Sequence, residues 1–268
     1  MYRVATLIGF LMCVAVATGS HAQVPVAEKV TPAALAKRIS PRYPAKAVER
    51  GDEGWVELQF AITPEGTTSD IHVISSFPRG LFEKSAQNAV AKWIYTPRLE
   101  SGATVPQGNN RILLSFALTE STAVRDAFTG PLAAIGEQIW ARHWDAAAKM
   151  ITTLGRAGGL NLVELAMLEG FRGQVAAGKE DFKGAVDCFS RALAITPHLD
   201  ATAREAISQL LVMTAINATE YARAVAAFDA WNPPDNPQLR DLRKTVESLR
   251  SALATGRKIA VTPPAREP

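Results

Sequence analysis

Trp55-Val56-Glu57-Leu58-Gln59-Phe60-Ala61-Ile62 alternates without a break: Val56, Leu58, Phe60 and Ile62 point one way, Trp55, Glu57, Gln59 and Ala61 the other. Successive side chains of an extended chain face opposite sides, so this stretch is a half-buried strand. Thr63-Pro64-Glu65-Gly66-Thr67 follows as a turn, because Pro presets φ and Gly accepts φ > 0. A second strand is predicted over about Ser69–Ser75 with Ile71 and Val73 inward. After a break at Ser75–Gly80, Phe82, Ala86, Ala89, Val90 and Trp93 recur at three- and four-residue steps, an amphipathic helix that stops before Thr96-Pro97. A loop with Gly102, Pro106 and Gly108 leads to a third strand, with Ile112, Leu114, Phe116 and Leu118 inward.

The helix reverses the chain between strands two and three. In an antiparallel sheet the third strand must then pair with the first, so the expected order is 2-1-3 with the helix on one face. Both outer strands have free edges. A free edge is a liability unless it is used, and one use is to receive an extended segment as an added strand.

Further residues sharpen this reading. Tyr43-Pro44, Ala47, Gly51, Gly54, Gly66, Asp70, Ser75-Ser76, Leu81-Phe82, Trp93, Tyr95, Pro97, Gly102 and Val105 join the strand and helix positions above in a pattern that resembles the TonB C-terminal domain over residues 40–119. The resemblance implies a periplasmic binding module. Its last strand would add the TonB box of an outer-membrane transporter, and it would be linked to energy-dependent outer-membrane transport. Carried onto this chain, the peptide-binding residues are Arg111, Leu113, Ser115 and Ala117, with Tyr43 and Pro44 leading into the domain.

Outside this region the grammar changes. Residues 131–253 are Ala-rich with helical spacing. Gly173, Ala185, Phe189, Ala192 and Pro197 fall at positions 8, 20, 24, 27 and 32 of a unit that starts at Ala166, which resembles the tetratricopeptide repeat, although Glu169 and Ala176 depart from it. Trp144, Phe182 and Tyr221 are spaced by 38 and 39 residues. Each is followed three residues on by Ala (147, 185, 224) and seven on by Ile151, Phe189 or Phe228. Three degenerate helical hairpins fit residues 131–231, and Gln238–Leu253 reads as a polar capping helix. Met167, Gly170 and Gln174 would form the inner face of the best-matched unit. The fold class is therefore α+β: a small three-stranded antiparallel sheet with a helix, then an all-α tetratricopeptide-like region. Residues 254–268 are expected to be a disordered tail.

At the start, Arg3, the uncharged run Val4–Thr18 and Ser20-His21-Ala22 have the layout of a cleaved secretory signal over residues 1–22. Export to a Gram-negative-type periplasm is expected, with inner-membrane anchoring as the alternative if residues 1–22 are retained. Residues 23–39 read as a short linker of at most about 55 Å. The run Val4–Thr18 lacks the Ser and His of the transducer's membrane helix, which puts an energised role in doubt.

The 268-residue chain is 47% hydrophobic with a net charge of +3 and no dense Lys/Arg stripe, so nucleic acid is not indicated as a partner. Phosphate loops, dinucleotide fingerprints, nucleophile elbows and zinc-protease motifs are all missing. The reading is a non-enzyme with no cofactor and no metal. Its partner is a TonB-dependent transporter or another envelope protein, and the free edges leave homodimerisation open. The alternative function is a periplasmic scaffold whose repeats bind an envelope protein, with the sheet as an adapter or dimerisation surface.

Overall fold

The computed structural model describes residues 30–118 and 122–256. The chain runs β1 (Val30–Thr31), β2 (Ala34–Lys37), α1 (Ala45–Arg50), β3 (Gly54–Ile62), β4 (Thr68–Phe77), α2 (Glu83–Val90), β5 (Ile94–Thr96), β6 (Arg98–Glu100), β7 (Ala103–Val105) and β8 (Gln107–Phe116). Seven α-helices follow among the described residues: α3 (Asp126–Trp140), α4 (Trp144–Ala157), α5 (Leu162–Gly178), α6 (Phe182–Ile195), α7 (Ala201–Asn217), α8 (Tyr221–Trp231) and α9 (Arg240–Thr255). The fold is α+β, with small antiparallel sheets in the N-terminal part and a helical C-terminal region.

The main sheet has the order β4-β3-β8, both pairs antiparallel, as the 2-1-3 argument expects. Leu58 stands opposite Ile112 and Val56 opposite Leu114. Val56, Leu58, Phe60 and Ile62 are buried beneath α2 with Phe82, Ala86, Val90, Trp93, Leu114 and Phe116. Phe82 and Phe116 stack at 4.4 Å between centroids.

Residues 23–39 are not simply a linker. β1 pairs with β6 and β2 with β5, and the Trp93 indole Nε1 donates to the Ile39 carbonyl at 2.8 Å. Residues 30–39 are thus laid on the domain and their length is not free reach. The expected signal segment, residues 1–22, and the remainder of the linker lie outside the described residues. So does the expected tail from residue 257 onward. Residues 254 and 255 belong to α9.

The helices form three consecutive antiparallel hairpins, α3–α4, α5–α6 and α7–α8. Trp144, Phe182 and Tyr221 are each the first residue of the second helix. Ala147, Ala185 and Ala224 are fully buried, and Ile151, Phe189 and Phe228 fill the seams. The small side chains let the paired helices approach closely. A Cβ at Gly173 would come within 2.5 Å of the Phe189 ring. Each hairpin turns through one residue with positive φ, namely Arg142, Glu180 and Thr219. The following amide reaches back to close the helix: His143 N to Gln138 O, Asp181 N to Ala176 O and Glu220 N to Ala215 O. This is the Schellman closure, here without its usual glycine. The first hairpin starts at Asp126, ahead of the expected 131, because α3 continues through Pro131. Proline costs that helix one hydrogen bond near its start without ending it.

The second face of the sheet also departs from expectation. Trp55, read as outward, is buried, and it joins the same apolar core as the helices together with Phe77 and Leu113. The Arg191 guanidinium of α6 lies over its ring at 5.5 Å. The sheet is therefore covered by α2 on one face and, at the Trp55–Phe77–Leu113 end, by the helical region on the other, where His72 and Asn109 stay exposed.

Candidate functional site

β8 is an edge strand, with β3 as its single neighbour in the main sheet. The four residues expected to serve that edge lie along one side of it. Leu113 is half-buried against the helical core, and Ser115 donates its hydroxyl to the Ile195 carbonyl at 2.6 Å. Arg111 lies 3.6 Å from Glu57 and 3.9 Å from Asp187, so it ties the strand to α6. Ala117 is exposed. Three of the four therefore touch or face the helical layer.

Two open cavities border this edge. One, about 590 Å³, is lined by Arg111, Leu113, Lys183, Asp187 and Arg223 among others. The other, about 480 Å³, is lined by Arg38, Leu113, Ser115, Ala117, Ala194 and His198 among others. Arg38, Lys183, Asp187, Ala194 and Arg223 were not legible as site residues. They come from segments remote from β8 in sequence, at positions with ordinary exposed-face chemistry, and the tertiary fold alone collects them.

Buried carboxylates hold the layers in register. Glu53 accepts from the Leu118 amide and from the buried Leu162 amide at the start of α5, both at 3.0 Å. Glu164 closes a capping box with Asn161 and accepts from the Arg125 backbone N and Nε at 2.9 and 3.0 Å. Glu169 accepts from Arg191 Nε at 3.0 Å and pairs with Arg172. A buried carboxylate persists only when such donors replace its water.

Tyr43 packs on the α2 face of the sheet, opposite the helical layer. Pro44, in extended conformation, starts α1. The Tyr43 ring meets Phe82 and Phe116 edge-on at 5.6 and 5.8 Å, and its hydroxyl donates to the Asp52 carbonyl at 2.7 Å. Burial, and then the charges of Glu53 and Asp52, push its phenol up to about 12. The folded state thus favours the protonated phenol. Its contribution to stability is complete below about pH 10 and is lost as pH rises toward 12. Urea midpoints are expected to fall between about pH 9.5 and 11.5, and to fall less steeply in Tyr43→Phe. Identical slopes in the two proteins would remove Tyr43 as the cause.

Of the repeat inner-face residues, Met167 and Gln174 are half-buried. Gly170 is buried, and a Cβ there would lie 3.2 Å from Ile207 of α7. It packs against the neighbouring helix α7. Cys188 is half-buried, and burial pushes its thiol up to about 11. Among the described residues no group of three His, Cys, Asp or Glu is arranged to hold a metal, and no helix is long and apolar enough to cross a membrane.

Comparison with known proteins places the sheet region. The family described as Gram-negative bacterial TonB protein C-terminal matches residues 39–113. Protein TonB of Pseudomonas aeruginosa is 42% identical over 65 residues, covering 24% of this chain and 19% of that protein. Protein TonB of Escherichia coli K12 is 37% identical over 60 residues, covering 22% of this chain and 25% of that protein. The solution NMR structure of the P. aeruginosa TonB C-terminal domain is 31% identical and covers 34% of this chain and 91% of that one, with a TM-score of 0.31. The chain spans about a fifth to a quarter of the length of these two curated relatives. Residues 39–113, which hold β3, β4, α2 and most of β8, are the part of the chain that matches this TonB C-terminal family.

Proposed function

We propose that this protein is an envelope binding module whose β8 edge captures an extended segment of an outer-membrane transporter, the TonB box, by strand addition. Its role is then tied to energy-dependent outer-membrane transport, from the periplasm. The observation that carries the reading is a free last-strand edge within a matched TonB C-terminal domain. The edge supplies unpaired backbone groups, and an added strand satisfies them at every second residue. The function is binding, with no chemistry on the partner.

Titration of the ¹⁵N-labelled protein with TonB-box peptides tests this. Amide shifts are expected at Arg111–Phe116. A peptide N-methylated at the alternate amides that face β8 should bind at least tenfold more weakly, while methylation of the other set should be tolerated. Equal tolerance of both sets would sink strand addition.

A second reading has its own observation. The three hairpins repeat the same buried Ala, seam residue and left-handed turn, which supports a tetratricopeptide-like scaffold that binds another envelope protein. Photo-crosslinkers placed on α3–α9 in cells should then capture that protein. Capture only through residues 40–119 would favour the strand-addition reading.

A further inference from the structure

We propose that a cleft between the β4 side of the sheet and the helical layer binds a small organic polyanion, one that carries several carboxylate or phosphate groups on an apolar body. No residue of β8 lines this cleft, so the inference is independent of the strand-addition reading.

The chain builds the cleft from segments far apart in sequence. The loop after α1, the end of β4 and the loop that follows it form one side. The end of α4, the turn into α5 and side chains of α5 and α6 form the other. It encloses about 800 Å³, within the range of roughly 300–1,000 Å³ usual for small-molecule sites. Packing fixes the two sides against each other. Gly155 of α4 is buried, and a Cβ there would lie 3.2 Å from the Phe77 ring at the end of β4. The Arg172 guanidinium of α5 lies over that same ring at 5.3 Å. Phe77, Pro78 and Leu81 are half-buried on the sheet side. They offer the body of a ligand apolar contact beside the charges.

Charge identifies the occupant. Every cation of the cleft is an arginine: Arg50, Arg79, Arg156, Arg172 and Arg191, from five different segments. The acids are three, Asp52, Glu53 and Glu169, so positive charge is in excess by two. Arginine presents a planar fork of donors that matches a carboxylate or a phosphate, which the point charge of lysine does not. In the depth of the cleft Glu169 serves both Arg172 and Arg191. Glu53 is taken by the Leu118 and Leu162 amides. Arg50, Arg79 and Arg156 stand exposed around these, with no carboxylate within ion-pair distance among the described residues.

Trp55 is a second, independent sign. It lines the cleft at 2% exposure, and its Nε1–H is buried with no acceptor among the described residues. An indole N–H only donates, and a buried donor left unpaired costs about 1–3 kcal/mol. Rim and wall therefore lack the same thing, an acceptor. The Arg191 guanidinium covers the Trp55 ring at 5.5 Å. An anion that draws this guanidinium toward itself also uncovers the indole N–H.

The test titrates the whole ¹⁵N-labelled chain with benzene-1,3,5-tricarboxylate, tripolyphosphate and the neutral benzene-1,3,5-trimethanol, at a constant ionic strength of about 0.1 M. Five tryptophans give five indole N–H signals, and Trp55→Phe identifies one of them. At least one anion is expected to move the Trp55 indole signal and to bind about tenfold or more tightly than the triol. The Trp93 indole, which donates to the Ile39 carbonyl in the other core, should stay in place. Response to the tricarboxylate alone assigns a carboxylate ligand, to tripolyphosphate alone a phosphate ligand, and to both a site that reads charge. Arg50→Gln, Arg79→Gln and Arg156→Gln, all at exposed positions, should each weaken binding about threefold and together about tenfold or more. Should the triple variant melt lower, the three single variants decide. The proposal is overturned if neither anion moves the Trp55 indole, if the triol binds equally well, or if the arginine variants bind like the parent protein. Shifts confined to other signals place the anion elsewhere and overturn it as well.

Discussion

Phe189→Ala is expected to lower the unfolding free energy by about 3–5 kcal/mol, the cost of removing a fully buried aromatic ring without refilling its space. Phe189 is completely enclosed and its ring fills the notch left by Gly173 on the facing helix. The helix that carries it is α6, the same helix that lies against β8. The loss should therefore be felt in the sheet as well as in the hairpins. Urea unfolding followed by both far-UV CD and tryptophan fluorescence checks this, with a coincident shift of both midpoints as the expected result. Trp55 and Leu113 share a core with the helices, so the two signals should move together. A change under about 1 kcal/mol would mean that the α5–α6 seam is not packed as described.

Glu53→Ala is the second large effect, and it differs in kind. The Glu53 side chain is 7% exposed, and its carboxylate serves the Leu118 amide on one side and the Leu162 amide on the other. Each amide loses its acceptor, at about 1–3 kcal/mol for the buried Leu162 amide and less for the part-buried Leu118 amide, which water can reach. The expected total is about 2–4 kcal/mol. More telling is where it acts: Glu53 lies between the end of β8 and the start of α5, so its loss should loosen the sheet from the helical layer. Hydrogen exchange is expected to accelerate at Leu162 and Leu118 while the β3 amides stay protected. Glu53→Gln keeps one carbonyl acceptor and should recover part of the loss. Uniform acceleration across the whole chain would show Glu53 to be a general stabiliser and not a connector.

Much of this architecture could be read from local pattern. The alternation over Trp55–Ile62, the three-four spacing over Phe82–Trp93 and the third alternating run fix element type, and the one intervening helix fixes the order β4-β3-β8. The 38- and 39-residue spacing located the second helix of each hairpin, because a close helix seam demands a small residue and then a large one at set intervals. The turns between them gave no signal, since Arg142, Glu180 and Thr219 occupy left-handed positions where glycine is usual. Residues 30–37 also gave none: small side chains and lysine carry no alternation, and their strand pairing is supplied by partners about 60–70 residues away.

The candidate site divides the same way. That β8 has a free edge follows from strand count and order. What stands beside that edge does not. The outward set Trp55, Glu57, Gln59 and Ala61 is mixed in polarity, and by itself it suits water as well as it suits protein. Only the folded chain places Arg191 over Trp55 and against Glu57, with Glu169 to balance the charge. Periodicity reports what one segment needs: a buried face and a period. It cannot name which distant segment meets that need, because burial by any apolar or charge-matched layer satisfies the pattern equally. The sequence by itself determined the sheet, its order, the three hairpins and the open edge. The tertiary structure alone decided that the helical layer packs on the Trp55 end of the second face and brings charged side chains of α6 and α8 alongside the β8 edge.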